Sequence, residues 1–281
     1  MLDPGLYMVA TPIGNARDIT LRALDILTRA DAIAAEDTRQ TRKLMGIHGI
    51  ALAGRPIVSY HDGNGPQRRP QILEWLRQGL SVAYCSDAGT PMIADPGFRL
   101  VEAALDAEFC VVAVPGASAI LSALSVAGLP TDRFLFAGFL PPRPGPRRKA
   151  LAELAAVPAT LVFYESPRRV PAVLADMAAV LGGVRLAAVS RELTKRFEET
   201  RRGTLAELAE AAEAAGAPKG EVVIVVGPPE RHAALDPEAL DAALSVAMAE
   251  ASVKDAARAV AERLGLPRRE VYARALELAG R

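Results

Sequence analysis

The chain has 281 residues, and 51% of them are hydrophobic, which is enough apolar material for one large domain or for two or three smaller ones. Lysine plus arginine and aspartate plus glutamate each total 33, so the formal net charge of +0 provides no overall field that would draw the protein to a nucleic acid. Any RNA or DNA site must therefore come from local clusters of basic residues.

The cysteines and the apolar runs bear on the location of the protein. Cys85 and Cys110 lie in apolar, strand-like runs without CxxC spacing, which favours buried, reduced thiols over a disulfide or a metal site. The amino terminus lacks a basic region followed by an apolar stretch, and no apolar run approaches the roughly 18 residues of a membrane span. We therefore expect a cytoplasmic protein with no metal site and no membrane partner.

The first half of the chain alternates strand-like runs with loops and helices. The predicted strands are residues 6–10, 32–35, 56–60, 80–84 and 109–114. A helix capped by Thr20 follows the first strand, and another helix is predicted over residues 99–107. Because the run at residues 109–114 is apolar throughout, it indicates a sheet that is covered by helices on both faces.

Three of these strands end in loops of small residues, at residues 11–15, 86–97 and 115–119. Gly89 and Gly97 allow backbone amides to approach a bound molecule, while the prolines stiffen the central loop. Open α/β sheets place their ligand sites in loops at the carboxyl ends of strands. The repetition predicts a ligand site, and a strand-to-helix connection rich in turn-forming residues is the alternative for the central loop.

Two further loops carry polar side chains. Residues 36–43 form a charged run at a helix start, where acidic residues suit the helix dipole and a solvated helix end is the alternative. His61 lies in a polar, glycine-rich loop, where a lone histidine is more often a bystander than a proton acceptor. The first loop lacks both GxGxxG and GxxxxGK, which excludes a dinucleotide or P-loop site.

A second α/β unit follows a basic, proline-rich stretch at residues 141–149, which we interpret as a domain boundary that cannot form a regular element. Its predicted strands are residues 159–164, 185–190 and 221–226, and its predicted helices are residues 168–181 and 203–215. Two of its strands end in the polar loops at residues 165–169 and 191–195. Two α/β units that face each other make a cleft.

The last segment carries the signals of three short helices. These are a capped proline start, a capping box and a glycine stop before another proline: Asp236-Pro237, Ser252 with Asp255, Gly265 and Pro267. Arg268, Arg269 and Arg274 would suit a helix-turn-helix module on nucleic acid, and a three-helix packing domain without such contacts shares the same signals. We predict two α/β domains, residues 1–140 and 141–230, and a three-helix domain, residues 231–281.

A series of short motifs occurs along the chain: Thr11-Pro12-Ile13-Gly14-Asn15, Glu36-Asp37-Thr38-Arg39, Ser86-Asp87-Ala88-Gly89-Thr90-Pro91, Asp95-Pro96-Gly97, Pro115-Gly116-Ala117-Ser118-Ala119, Phe163-Tyr164-Glu165-Ser166-Pro167-Arg168, Arg191-Glu192-Leu193-Thr194-Lys195 and Lys219-Gly220-Glu221. Each motif alone is weak, but in this order they resemble the ribosomal RNA small-subunit methyltransferases of the tetrapyrrole-methylase superfamily. The resemblance covers residues 5–227, and the C-terminal segment is similar to the helix-turn-helix domain of the same family.

The resemblance implies a fold, an activity and partners. The fold is two α/β domains of the tetrapyrrole-methylase type with an interdomain cofactor cleft. The activity is S-adenosylmethionine-dependent methylation of the ribose 2′-hydroxyl of a cytidine in the decoding centre of 16S rRNA, within the small ribosomal subunit. A homodimer is implied as well.

The cofactor positions of the superfamily fall on residues of both predicted domains: Pro12, Ser86, Asp87, Thr90, Ser118, Ala119, Glu165 and Leu193. The chain departs from the family pattern in two places. Ala94 stands where a serine is usual, which a loop that acts through its backbone should tolerate. The run from His61 to Asn64 is less acidic than usual, which weakens any role for His61 in the chemistry.

The implied chemistry is an in-line displacement on an activated methyl group. Positioning of the reactants can supply roughly 7–11 kcal/mol, and a general base adds about 10²–10⁴-fold. Asp37, Glu165, Glu192 and Lys195 are candidates to assist the departing proton, but the sequence does not rank them, and no catalytic residue is assigned.

Basic residues that cluster locally are predicted to form a phosphate-contacting face: Arg143, Arg147, Arg148, Lys149, Arg168, Arg169, Lys195, Arg201 and Arg202. Two alternatives remain open. A tetrapyrrole or diphthamide-precursor methylase would share the fold but would not obviously need these arginines or the C-terminal helices. A helix-turn-helix regulator could use the α/β part only to sense S-adenosylmethionine.

Overall fold

The computed structural model describes residues 2–93, 95, 97–217, 219–229, 237–264, 266 and 268–280. The chain divides into two compact units, Met1–Gly227 and Pro228–Arg281. The predicted features at Ala94, Pro96, Asp236, Gly265 and Pro267 lie outside the described residues. Within the described ranges, no helix has both the length and the apolar character needed to cross a membrane.

The first sheet has the strand order β3-β2-β4-β1-β5, with β1 (Gly5–Val9), β2 (Ala32–Ala35), β3 (Ile57–Ser59), β4 (Ser81–Cys85) and β5 (Val111–Val114). All four neighbouring pairs are parallel. The five predicted strands are therefore confirmed. Because the strands are parallel, the loops that follow β1, β4 and β5 gather at one edge of the sheet.

Helices cover both faces of the first sheet: α1 (Leu21–Arg29), α2 (Thr38–Ile47), α3 (Gly65–Arg77) and α4 (Gly97–Asp106). Leu6 of β1 packs in one buried cluster with α3 and α4, and Val9 of the same strand packs in another with α1. This division follows from the alternation of side chains along a strand. The Thr20 hydroxyl accepts a hydrogen bond from the Ala23 amide at 3.2 Å, so the predicted cap of α1 is confirmed.

Strand β5 is less buried than its sequence suggested. It is the edge strand beside β1, and of its four residues only Val114 is fully buried. The prediction of two covered faces holds for the central strands but is wrong for β5. For the same reason Cys110, just before β5, is exposed, whereas Cys85 in the central strand β4 is buried, and both thiols are free.

The second sheet is mostly antiparallel. Its order is β6-β7-β10-β8-β9, with β6 (Phe134–Phe139), β7 (Thr160–Glu165), β8 (Leu186–Arg191), β9 (Glu199–Thr204) and β10 (Val222–Val226). Only β6 and β7 run parallel to each other. Strands β7, β8 and β10 confirm predictions, whereas the two edge strands were missed. Because β6 belongs to this sheet, the second sheet begins ahead of residue 141, and the domain boundaries themselves stay a prediction.

The outer face of the second sheet is covered by α6 (Pro144–Leu154), α7 (Val170–Leu181) and α8 (Leu205–Ala215). The prediction that residues 141–149 cannot form a regular element is wrong, because α6 begins at Pro144. Prolines are tolerated in the first turn of a helix, where the missing N–H has no partner to lose. The proline-rich stretch is therefore a helix start.

Helix α5 (Ala119–Ala127) joins the two sheets. It follows β5 of the first sheet, but Ile120, Ala123 and Leu124 pack on the inner face of the second sheet, against side chains such as Val162 and Val223. We call the first sheet with α1–α4 the first lobe, and the second sheet with α5–α8 the second lobe. One buried cluster thus spans the junction of the lobes.

The C-terminal unit contains α9 (Pro237–Glu250), α10 (Val253–Leu264) and α11 (Arg268–Leu278) around an apolar cluster of its own. The Ser252 hydroxyl accepts from the Asp255 amide at 3.2 Å and caps α10 as predicted. Arg274 pairs with Asp241 at 2.6 Å and with Glu277 at 2.7 Å. This arginine therefore ties α11 to α9, and its contact with nucleic acid stays a prediction.

Candidate active site

A cavity of about 430 Å³ lies between the two lobes. Four of the predicted cofactor residues line it, namely Thr90, Ser118, Ala119 and Glu165. The remaining walls come from both lobes as well: Ile13, Ala88, Gly89, Ile93, Phe139, Tyr164, Ser166, Pro167, Glu221, Val222 and Val223. The volume falls within the range of small-molecule sites, and the mixture of apolar walls with a few polar groups is typical of them.

The first-lobe loops are fixed by hydrogen bonds among themselves. The backbones of Thr11 and Gly89 exchange two hydrogen bonds, of 2.9 and 3.0 Å, across the loops after β1 and β4. The Ser86 hydroxyl donates to the Gly89 carbonyl at 3.1 Å, and the Thr90 hydroxyl donates to the Ala117 carbonyl at 3.0 Å. The three predicted loops therefore form one rigid cradle before any ligand arrives.

Asp95, the second aspartate of the central loop, has a structural partner. The hydroxyl of Tyr84 donates to its carboxylate at 3.0 Å, and the amides of Met92 and Gly97 donate to the same oxygen. Met92 also has a φ of +73°, which a non-glycine residue adopts only where its surroundings enforce it. Asp95 thus holds the shape of the loop.

A second cavity, of about 400 Å³, adjoins the first and shares Ile13, Ala88 and Glu221 with it. It contains the predicted cofactor residues Pro12, Ser86 and Asp87. Basic and polar side chains also line it: Gln40, Thr41, Lys43 and Lys195. Leu193 lines neither cavity, because its side chain is buried in the core where α5 packs on the second sheet.

Three acidic residues of the first lobe are linked by hydrogen bonds from backbone amides to carboxylates beside the second cavity. The Asp87 amide donates to Glu36 at 3.1 Å, and the Asp37 amide donates to Asp87 at 2.8 Å. Burial, followed by repulsion from neighbouring carboxylates, raises the pKa of Glu36 and of Asp87. Asp37 behaves differently, since hydrogen bonds from Arg39 lower its pKa to about 2. Asp37 is therefore a poor proton acceptor.

Glu165 borders the first cavity through its backbone, because its side chain shares the outer face of the second sheet with Val222, its partner in the β7–β10 ladder, and is buried there. Its Oε1 accepts from the Ser166 amide at 2.7 Å and lies 3.2 Å from Nε of Arg169. Its Oε2 is buried and has no hydrogen-bond partner among the described residues. Burial raises the pKa of Glu165, against the opposing effects of the Ser166 amide and Arg169. An unpaired buried oxygen of this kind is costly, and it lies in the core of the second lobe, outside the cavity.

Lys195 is held between two carboxylates at the second cavity. Its Nζ donates to Glu192 at 2.9 Å and to Glu221 at 2.8 Å. Burial acts to lower the pKa of Lys195, but these hydrogen bonds outweigh it, and the pKa is raised. The same contact lowers the pKa of Glu192. Glu192 has a φ of +51° and Thr194 a φ of +65°, so the loop is held in an unusual conformation where it meets Gly14 of the first lobe.

The predicted phosphate-contacting face needs correction. Arg147 is buried and pairs with Asp176 at 2.5 Å, and Arg169 donates to the Leu140 and Pro141 carbonyls. Arg202 donates to the Val126 carbonyl of α5. These arginines hold the second lobe together because their donors are already engaged. The exposed members that remain are Arg143, Arg148, Lys149, Arg168 and Arg201.

Sequence reasoning missed several wall residues. Phe139 and Tyr164 lie edge to face, with ring centroids 5.7 Å apart, and line the first cavity. Phe139 lies on an unpredicted strand, so no signal pointed to it, whereas Tyr164 directly precedes a predicted site residue. His61 lines neither cavity. The described residues contain no group of three or more His, Cys, Asp or Glu side chains suited to a metal ion.

The fold and the cavity between the lobes define a class of protein. Residues 5–209 match the family described as tetrapyrrole (corrin/porphyrin) methylases, and residues 233–279 match the RsmI C-terminal HTH domain. Solved structures of low sequence identity share the fold. Cobalt precorrin-4 methyltransferase has a TM-score of 0.60 at 20% identity, over 79% of this chain and 94% of that chain. Uroporphyrin-III C-methyltransferase from Thermus thermophilus, complexed with S-adenyl homocysteine, has a TM-score of 0.55 at 20% identity, over 79% of this chain and 97% of that chain.

Similar proteins of known name identify one family within this class. The chain is 50% identical over 277 residues to ribosomal RNA small subunit methyltransferase I of Mesorhizobium japonicum, covering 99% of this chain and 93% of the relative. It is 46% identical over 274 residues to the protein of the same name from Micromonospora olivasterospora, covering 95% of this chain and 85% of the relative. The chain belongs to the ribosomal RNA small subunit methyltransferase I family within the tetrapyrrole methylases, and it is a methyltransferase.

Proposed function

We propose that this protein transfers a methyl group from S-adenosylmethionine to the ribose 2′-hydroxyl of a cytidine in the decoding centre of 16S rRNA. The observation that carries the proposal is the preformed cavity between the lobes, which loops of both lobes line. The names of the relatives support the substrate class. The Thermus thermophilus structure with S-adenyl homocysteine supports the identity of the methyl donor.

The residues of the cavity fit such a donor. The loops pack closely at glycines, since a Cβ on Gly116 would lie 2.9 Å from the Cβ of Ala10 in the loop after β1. When bound, S-adenosylmethionine supplies a methyl group that its sulfonium has already activated. Thr90 and Ser118 orient the donor, Ala119 leaves space for it, and Glu165 contributes its backbone to the wall. Phe139 and Tyr164 exclude water on the side of the second lobe.

The second cavity is the place we assign to the RNA ribose. It adjoins the first cavity through Ile13 and Ala88, so a hydroxyl held there faces the donor. Lys43 and Lys195 line it and bring positive charge to a phosphate backbone. Pro12, Ser86 and Asp87 then lie between donor and acceptor and position both. Leu193 contributes by packing, since it fixes the loop that carries Lys195.

Positioning carries most of the catalysis in this arrangement. Of the four proton acceptors considered, Asp37 and Glu192 have lowered pKa values because each is bound to a basic side chain. Lys195 is held protonated by its two carboxylates and acts as a fixed cation. Glu165 has a raised pKa, but its side chain lies on the outer face of the second sheet, away from the donor, so we assign no general base.

The proposal includes partners and a location. We infer a homodimer, because the edge strand β6 carries exposed Phe134, Leu135 and Phe139 and leaves one edge unpaired. Light scattering at micromolar concentration would measure twice the chain mass. The substrate is the RNA of the small ribosomal subunit, which places the protein in the cytoplasm.

The test uses radiolabelled S-adenosylmethionine with four acceptors: 30S subunits, free 16S rRNA, a porphyrinogen and elongation factor. We expect label in the rRNA of one of the first two samples, at a cytidine that becomes resistant to alkaline cleavage. Label in porphyrinogen or elongation factor would support the related methylases instead. Donor binding without transfer to any acceptor would support a sensor and contradict the proposal.

Tyr164→Leu tests the observation that carries the proposal. Loss of an aromatic wall of the cavity should raise the Kd for S-adenosylmethionine about tenfold in calorimetry. The matched control is Tyr272→Leu, which changes an exposed tyrosine on α11 and should leave that Kd unchanged. Equal Kd values for both variants would remove Tyr164 from the donor site.

A further inference from the structure

A third cavity, of about 230 Å³, lies on the outer face of the second sheet, between that face and helices α7 and α8. Its floor is apolar and includes Val170, Leu174, Val189 and Leu208. Tyr164 faces the opposite side of the same sheet, in the cavity between the lobes. The volume lies just below the usual range for complete small-molecule ligands, which suits part of a larger molecule.

The rim of this cavity is basic and is built by strand register. Arg191 lies directly opposite Glu199 in the β8–β9 ladder, and Arg201 lies two residues beyond Glu199 on the same face. Both arginines donate from Nε to Glu199 at 2.7 Å, one to each carboxylate oxygen. Lys219 adds a third positive charge to the rim. Among the residues that line the cavity, three cations therefore face one carboxylate.

The shared carboxylate fixes the two guanidinium groups without using up their donors. Among the described residues, no hydrogen bond is found to the terminal Nη groups of Arg191 or Arg201, so these groups are available to a phosphate. Guanidinium forks match phosphate geometry well, and their planes also stack on unpaired bases. An apolar slot beneath oriented arginines combines a place for a base with a place for its phosphate.

Stability alone accounts poorly for this arrangement. Ion pairs in which both partners are about one-third or more exposed contribute at most about 1 kcal/mol, and the pairs of Glu199 are of this kind. The polar sequence of β9, which hid this strand from prediction, supplies both Glu199 and Arg201. The edge strand thus carries its charges over a cavity that a more apolar strand would have closed.

We propose that this cavity binds one unpaired nucleotide of the RNA substrate, with the base in the apolar slot and the phosphate on Arg191 and Arg201. The inference rests on the proposed function and adds a second anchoring point, on the opposite face of the sheet from the donor. Such a contact would favour RNA in which a nucleotide near the target is unstacked, and it would contribute to substrate binding and not to the chemical step.

The test compares single variants in methyl transfer to the acceptor that wild type labels. Arg191→Gln and Arg201→Gln should each raise KM for RNA roughly five- to twentyfold with kcat nearly unchanged, the scale of one lost phosphate contact. For each arginine variant, the logarithm of the RNA association constant should depend less steeply on the logarithm of the salt concentration, with a slope smaller by about 1. Ala211→Leu, which fills the slot from α8, should raise KM without changing the salt slope. The Kd for S-adenosylmethionine should stay at the wild-type value in all three.

Two controls and a counter-variant make the outcome decisive. Arg99→Gln removes an exposed arginine with its own glutamate partner, and Ala214→Leu adds the same bulk to α8 outside the cavity, so both should keep wild-type KM. Glu199→Gln loosens the two guanidinium groups but leaves their positive charge, so it should raise KM by less than either arginine variant. If Glu199→Gln raises KM as much as the arginine variants, the cluster is structural and the proposal fails.

The remaining outcomes are equally clear. Active wild type with arginine variants that match Arg99→Gln would overturn this inference and leave the proposed function intact. Absence of methyl transfer to any RNA by wild type would overturn both. Tight binding of free cytidine monophosphate that Arg201→Gln abolishes, with RNA kinetics unchanged, would define a small-molecule site and also overturn it.

Discussion

The two lobes bury different kinds of polar group. The four charged side chains that the described residues bury all lie in the second lobe, and they are Arg147, Glu165, Asp176 and Arg185. The buried polar side chains of the first lobe are uncharged hydroxyls, such as those of Ser86 and Thr11. Backbone hydrogen bonds therefore shape the first-lobe part of the site, whereas ion pairs and arginine–carbonyl contacts brace the second lobe.

This difference matches the way each sheet is built. Parallel strands of the first sheet bring three loops to one edge, so small residues and backbone contacts suffice to make a cradle. In the mostly antiparallel second sheet, neighbouring strands reach the cavity in opposite directions. The second lobe therefore contributes single side chains on short loops to the site. The first lobe therefore shapes the site through its backbone, and both lobes supply its charged side chains, such as Asp87 and Lys195.

The largest effect should come from the buried ion pair of the second lobe. Arg147→Met leaves Asp176 buried with Arg148 as its remaining partner, and breaking a buried pair on one side should lower the free energy of unfolding by about 3 kcal/mol. Chemical denaturation would measure it. The exposed control Lys149→Gln should change stability by less than about 0.5 kcal/mol. RNA binding by folded Arg147→Met should match wild type, and a marked loss would restore Arg147 to the RNA-contacting face.

A smaller effect should come from the cradle of the first lobe. Gly89 has a φ of +81°, and an added Cβ would lie 3.3 Å from Ile13 in the cavity wall. Gly54 has a φ of +77° but nothing within 4 Å of an added Cβ. Gly89→Ala and Gly54→Ala should both lose about 1–2 kcal/mol of stability from left-handed strain. Only Gly89→Ala should weaken S-adenosylmethionine binding, by several-fold in calorimetry, and equal affinities would show that the cradle does not touch the donor.

The smallest effect is a difference in pH dependence between two carboxylates. Asp37 has a pKa lowered to about 2. The stability that its carboxylate adds relative to Asp37→Asn is therefore present above pH 3.8 and is lost as the pH falls towards 2. Glu165 has a raised pKa, so its stabilisation relative to Glu165→Gln is fully present below 4.5 and declines as the pH rises through the raised value. Melting temperatures should be measured across the acidic pH range. The difference between wild type and Asp37→Asn should increase with pH, and the difference between wild type and Glu165→Gln should decrease with pH. Parallel slopes would mean that burial does not govern Glu165.

The sequence predicted the first sheet better than the second because apolar periodicity reports burial. The five strands of the first sheet carry apolar runs, and the small residues in the three loops at their ends predict a site. The edge strand β9 has no apolar run, so it was invisible to the same reasoning. The proline and arginine content of residues 141–149 led to the wrong prediction of an irregular basic segment where α6 begins. The buried position of Arg147 could not be predicted, because its ion-pair partner Asp176 lies far along the chain.

The site shows the same division. Seven of the eight predicted cofactor residues line one of two adjoining cavities, and Leu193 alone packs in a core. Short motifs located the loops, but they did not separate residues that face a ligand from those that hold the loop, such as Asp95. That distinction depends on side-chain partners, and only the folded chain provides them.

Helix α5 has a consequence for the engineering of this enzyme. Since it belongs to the first sheet by connection and to the second sheet by packing, a cut made between the sheets would strip Ala123 and Leu124 from the surface they cover. Neither fragment would hold its own shape in solution. Chimaeras between family members should therefore exchange the whole of Met1–Gly227 as one cassette, with the junction placed at the C-terminal helices.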